Sequence, residues 1–367
     1  MSDPRVENLA NVLVNYSTRV QPGEWVGVLG DVEAMPLVRA VFMHVVRAGG
    51  NPVLMLTDEY LTRNFIREAS DEQMAWLDPA QTLYYENADV YIRCGTIPNT
   101  RAMTYVNAKR IQKLQTARSQ WLDTRIHRAS EGKMKWVGTL FPSEGLAQEA
   151  GMSLEEYEDF VYRATFADKA DPVAEWRKLG ETQQKKIDWL KGKKRVTLKG
   201  PNVDLELSID GRTFINAMGE RNMPDGEIFT GPVEESVNGW YRATFPSIVQ
   251  GRAVEGIELK FENGKVIGAS SKTNEDLLYA QLDADARSRY LGEFAIGTNF
   301  GIDKFTGSIL FDEKIGGTVH IALGTGYPDT GSKNKSVIHW DMICDMRQDS
   351  EIHVDGELFY KNGQFVV

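Results

Sequence analysis

Hydrophobic spacing divides the chain into two regimes. Residues 25–29 (WVGVL) form a short apolar run after a Pro-Gly turn and predict a buried strand. Residues 34–46 then place Leu37, Val38, Val41, Phe42 and Val45 at helical spacing, and Gly49, Gly50 and Pro52 stop that helix before a second strand at 53–57. Further strands are predicted at 89–93 and 134–140. Strands separated by helices of this length imply parallel pairing with helical crossovers. Residues 1–165 are therefore expected to form a three-layer α/β domain with a mostly parallel sheet. No GxGxxG follows the first strand, so nothing predicts a dinucleotide site.

A charged helix follows, with Asp171 as its cap, Pro172 in its first turn, and Trp176, Leu179, Ile187 and Leu190 at helical spacing. Residues 166–195 are expected to be a helical linker, and the basic run 191–195 its solvated end. From Val196 onward the period changes to two. Short β-rich runs are joined by Gly, Asn and Asp turns, with Asn263-Gly264 and Asn362-Gly363 as hairpin signals. One helix, 274–290, is expected to interrupt them, opened by Thr273. Residues 196–367 are thus predicted to form an α+β catalytic domain rich in antiparallel strands.

Composition narrows the function classes. A length of 367 residues suits two domains, and 42% hydrophobic with 26% charged residues is ordinary for a globular enzyme. The net charge of −10, without a long basic block, argues against a nucleic-acid partner and mildly favours ligands carrying a free amino group. No apolar run approaches the roughly 20 residues that span a bilayer. The start lacks the basic-then-apolar pattern of a signal peptide, and two cysteines make no disulfide framework. A cytoplasmic protein with no membrane partner is the expectation.

The candidate chemistry lies in the second half. In a strand, His339 and Asp341 project to one face while Trp340 and Met342 face the other way. Such a pair fits either two metal ligands or a structural hydrogen bond. His320 sits in a strand bracketed by glycines, which fits an active site and equally a packed core residue. Tyr327 follows in the loop GTGYPDTG. Glu227 and Glu293 are lone acids among apolar neighbours, costly to bury unless paired or bound to a cation. His44 is expected to be packed, His127 and His353 solvent-facing, and Cys94 a small core residue; Cys344 is expected opposite His339, so no Cys–His nucleophile is indicated.

The ordered series PDGEIFTGP, LGEFA, FDE followed by HIALG, then Tyr327 and His-x-Asp, together with MSLEEY at 152–157, resembles the M29 family of metalloaminopeptidases, the aminopeptidase T and aminopeptidase S group. The resemblance implies two divalent ions (zinc, cobalt or manganese) held by Glu227, Glu293, His320, His339 and Asp341, with Glu293 bridging. It implies that Tyr327 steadies the reacting carbonyl and that Glu227 or Glu313 moves a proton. Six residues separate Glu313 from His320, more than the family's spacing. The implied activity is hydrolysis of the N-terminal bond of a peptide or amino-acid amide with a free amino group, by a homodimer. Two other readings are carried. One is a mononuclear non-heme iron ring-cleaving dioxygenase, which needs His339 and Asp341 but leaves Glu227 and Glu293 spare. The other is a non-catalytic binding protein.

Overall fold

Four of the expected strands line up in parallel. In spatial order the sheet runs Asn51–Thr57, Trp25–Asp31, Val90–Gly95, Lys135–Leu140 and Asn222–Met223. The computed structural model describes residues 3–249 and 251–367. Val26, Val28, Val90, Ile92 and Val137 are completely buried in this sheet, and the helix Met35–Arg47 buries Leu37, Val38, Val41 and Val45. On the other face Leu29, Met55 and Tyr91 pack with Tyr84 and Tyr85 of the helix Pro79–Asn87, and apolar side chains on both faces of parallel strands call for helical cover on both, as the α/β reading requires. The last strand is not a neighbour in sequence: Asn222 and Met223 pair in parallel with Gly138 and Thr139. The chain accordingly divides into one unit of Met1–Glu175 with Gly219–Pro224 and another of Trp176–Met218 with Asp225–Val367. The helix Pro172–Leu190 belongs to the second unit from Trp176 on; the Asp171 carboxylate accepts from Ala174 N at its start.

The second unit is built on antiparallel sheets. An eight-stranded sheet contains Val203–Ser208, where Val203, Leu205 and Leu207 alternate inward. Its hairpins turn at Asn263-Gly264 and Asn362-Gly363, all four residues having positive φ, the requirement of a type I′ turn. A five-stranded sheet runs His339–Asp345, Thr318–Gly324, Leu291–Gly297, Glu227–Thr230 and Ile215–Ala217. Leu198, Leu205, Ile187 and Leu190 join Ile228, Phe294, Ile321 and Met342 in a single core.

One helix differs from expectation. It spans Glu275–Leu282 rather than 274–290. Thr273 does not cap it, because its hydroxyl donates to Ala253 O and accepts from Glu255 N. Beyond Leu282, Ser288 donates to the Leu282 and Asp285 carbonyls, a local turn that replaces further helix.

Candidate metal centre

Cross-strand partners in an antiparallel sheet point to the same face, so the register of the five-stranded sheet sorts its side chains without further assumption. Gly297 opposes Glu227, Ala295 opposes Phe229 and His320, Ala322 opposes Glu293 and Asp341, and Gly324 opposes His339. All five candidate ligands therefore share one face, interleaved with alanines and glycines that leave room for them. Ile228, Leu291, Phe294, Ile296, Val319, Ile321, Met342 and Cys344 occupy the other face and belong to the core.

A bulge makes this sorting possible. Leu291 pairs with Leu323 and Glu293 with Ala322, leaving Gly292 as an extra residue. Without it, Leu291 and Glu293 would face the same way. With it, Leu291 enters the core and Glu293 turns to the acidic face. Only glycine fits here, since a Cβ at 292 would lie 2.3 Å from the Thr325 carbonyl oxygen.

The donor atoms converge. His320 Nε2 lies 3.5 Å from Glu227 Oε2 and 3.8 Å from Glu293 Oε1. His339 Nε2 lies 3.2 Å from Glu293 Oε2 and 3.5 Å from Asp341 Oδ1. Charge-assisted hydrogen bonds are shorter, about 2.7–2.9 Å. Ligand atoms about 2.0–2.2 Å from one ion at tetrahedral angles stand roughly 3.3–3.6 Å apart. Among the described residues, three groups of donors have their atoms within 4.8 Å of one another: Glu227–Glu293–His320, Glu293–His339–Asp341 and Glu313–His320–Asp341.

Three polar atoms of this cluster are left without a hydrogen-bond partner and fit a cation. Glu227 Oε2, His320 Nδ1 and Asp341 Oδ1 are buried without a hydrogen-bond partner. His339 Nδ1 lies 2.8 Å from the Thr325 carbonyl, which can only accept, so Nδ1 carries a hydrogen and Nε2 is the nitrogen that faces Glu293 and Asp341. Without an ion the cluster compensates its own charges. Burial drives the Glu227 carboxyl well above its usual range, against the pull of Lys314. Burial acts the same way on Glu293, but the His320 and His339 imidazoles overcome it and hold that carboxyl low. Burial opposes charge on His320 and His339, yet their carboxylate neighbours raise both. Mixed imidazole and carboxylate donors suit zinc, cobalt or manganese.

The structure also shows parts the sequence did not signal. Gln183, buried on the helix Pro172–Leu190, donates to the Glu227 backbone carbonyl at 2.8 Å and accepts from Thr298. Lys314, completely buried, pairs with Glu227 and Glu313. Tyr327 stands beside the cluster, its ring 5.5 Å from that of His339 and edge-on to it, and 5.3 Å from Phe229. Its loop is tied by Glu234, which accepts from Lys333 N at 2.5 Å and Ser332 Oγ at 3.3 Å while pairing with Arg212 at 2.6 Å. Arg212 and Glu234 side chains are only 7% and 4% exposed. Glu234→Ala would strand the guanidinium; a loss of about 3–5 kcal/mol in denaturant unfolding is expected, and a loss below about 1 kcal/mol would show the pair to be dispensable.

The remaining histidines stand apart. His44 is half-buried, 3.2 Å from Glu7, and His127 is exposed. His353 projects to the face opposite buried Ile352 and Val354, half-exposed beside Glu351. Cys94 and Cys344 are buried and free.

The family model described as thermophilic metalloprotease (M29) matches residues 2–365. The chain belongs to the M29 family. Among the relatives of this M29 chain, Aminopeptidase 2 of Geobacillus stearothermophilus is 27% identical over 96% of the chain and 91% of its own length. Aminopeptidase T of Thermus thermophilus is 26% identical over 98% and 95%. The solved wild-type AmpT from Thermus thermophilus superposes with a TM-score of 0.84 at 23% identity, covering 99% of both chains. A 2,5-dihydroxypyridine dioxygenase from Pseudomonas putida KT2440 has a TM-score of 0.58 at 15% identity, covering 99% of this chain and 97% of its own. Both solved structures share the fold of the M29 chain. No helix among its described residues is long and apolar enough to cross a membrane.

Proposed function

We propose that this M29 metallopeptidase is an aminopeptidase that removes the N-terminal residue of peptides or amino-acid amides, with Glu227, Glu293, His320, His339 and Asp341 holding two divalent ions. The observation that carries the proposal is the convergence of these side chains, at 3.2–3.8 Å, on one face of one sheet. Two donor groups share Glu293, so its two oxygens can serve two positions. Ions bound there would supply acidity to water and polarise a carbonyl at neutral pH.

The chain's own groups supply the rest. The Tyr327 phenol, poised beside His339, donates a hydrogen bond to the oxyanion that develops on the scissile carbonyl. Glu313 or Glu227 carries the proton from the attacking water to the leaving amine. The excess of carboxylates favours a substrate with a free α-ammonium group. A cavity of about 140 Å³ opens beside His339 and Asp341, lined by Pro246, Ile248, Phe305 and Ile309, and gives an uncharged side chain of the first residue a place to sit.

The same reading includes a homodimer in the cytoplasm. Support for self-association comes from the outer strand Asn51–Thr57, which exposes Val53, Leu54 and Leu56 and carries no charged side chain to guard its edge; Tyr60 and Leu61, on the helix that follows, are exposed as well. Two buried free cysteines fit a reducing compartment. Sedimentation at the mass of two chains is expected.

Stripping metal by chelation is expected to end release of N-terminal amino acids from short peptides, and zinc, cobalt or manganese to restore it without dioxygen uptake. Amide cleavage that survives complete metal removal would sink the proposal. Dioxygen consumption with one iron per chain would replace it with the ring-cleaving alternative.

A further inference from the structure

Lys314 has no part in the mechanism above, yet it lies inside the cluster. Its side chain is 0% exposed. Its ammonium stands 3.6 Å from Glu227 Oε1 and in closer contact with Glu313 Oε1. Among the described residues, its ion pairs reach neither Glu293 nor Asp341, and His339 pairs with those two instead. A full positive charge therefore sits against one carboxylate of the Glu227–Glu293–His320 group and one of the Glu313–His320–Asp341 group, but against none in Glu293–His339–Asp341.

We propose that Lys314 makes the two cation positions unequal, so that Glu293–His339–Asp341 fills first and tightly while the position on Glu227 and His320 fills only at higher metal concentration. This rests on the two-ion reading. Three physical points support it. A buried ammonium cannot move into water to escape a new neighbouring charge, because its stem is enclosed. In a site with little water, repulsion between it and a dication is weakly screened. And Glu227 divides its two oxygens, Oε1 toward Lys314 and the otherwise unpartnered Oε2 toward His320, so only one oxygen is free to ligate. The same contacts hold Glu227 and Glu313 in place without metal, since the ammonium offsets repulsion among carboxylates that would otherwise face each other. Lys314 is in this sense a positioning residue that trades affinity at one position for a preassembled site.

The test is equilibrium dialysis of the metal-stripped full chain against zinc alone, with metal counted per chain. The wild type is expected to bind a first equivalent at least about tenfold more tightly than a second. In Lys314→Met the second equivalent should tighten about tenfold or more while the first moves by less than about threefold. Lys314→Arg, which keeps the charge, should keep the gap. Lys314→Gln retains hydrogen-bond donors for both carboxylates and replaces Lys314→Met if that variant does not fold. Two equal equivalents in the wild type, or an unchanged gap in both neutral variants, overturn the inference while leaving the metallopeptidase reading intact. A wild type that takes up no metal brings down both.

Discussion

Glu293→Gln is expected to lower kcat/KM by at least about a thousandfold, which is roughly 4 kcal/mol of transition-state stabilisation. Glu293 is the carboxylate that reaches both histidines: one oxygen lies 3.8 Å from His320 Nε2 and the other 3.2 Å from His339 Nε2. It also belongs to two of the three donor groups. Glutamine keeps the shape and the bulged backbone at Gly292 but replaces an anionic oxygen by an amide NH2, which donates and cannot ligate. Both cation positions should weaken together, so metal content per chain should fall with the rate while the circular dichroism spectrum stays that of the wild type. A variant that keeps its metal and loses less than tenfold in rate would remove Glu293 from the centre of the site.

Tyr327→Phe should separate catalysis from assembly. Tyr327 is 47% exposed, and its ring packs tilted against Phe229 and edge-on to His339, contacts that phenylalanine reproduces. Only the hydroxyl is lost. If it donates to the developing oxyanion, kcat should drop by about 10²–10³, the effect of removing one such donor, or about 2.7–4 kcal/mol. Metal content and thermal midpoint should not move. A kcat within about threefold of the wild type would assign Tyr327 to the wall of the site instead. The two variants together discriminate: Glu293→Gln changes rate and metal content, Tyr327→Phe changes rate alone.

Much of this architecture is legible from local spacing. Runs such as 25–29, 89–93 and 134–140 could be recognised as strands, and the period change near Val196 marks where parallel pairing gives way to antiparallel. Alternation also places His339 and Asp341 on one strand face and Trp340 and Met342 on the other, as the register shows. The hairpins at Asn263-Gly264 and Asn362-Gly363 follow from residue type, because positive φ at both central positions is a local demand. The helix at 274–290 misleads for the complementary reason: its start and end depend on Thr273 reaching Ala253 and on Ser288 turning the chain, partners outside any helical window.

Chemistry-bearing residue types and their order along the chain belong to the primary structure, since composition, spacing and family resemblance need no coordinates. Convergence belongs to the tertiary fold. Glu227, Glu293, His320 and Asp341 meet because antiparallel register aligns strands distant in sequence, and because one extra residue at Gly292 reverses the side to which Glu293 points. No pattern within a few residues encodes either effect. The same holds for Asn222–Met223, which returns to a sheet whose other strands end near residue 140, and for Lys314, whose charge matters only because folding seals it beside two carboxylates. Local rules act over three or four residues; register, burial and charge compensation are set by pairings across a hundred, and those exist only once the chain is folded.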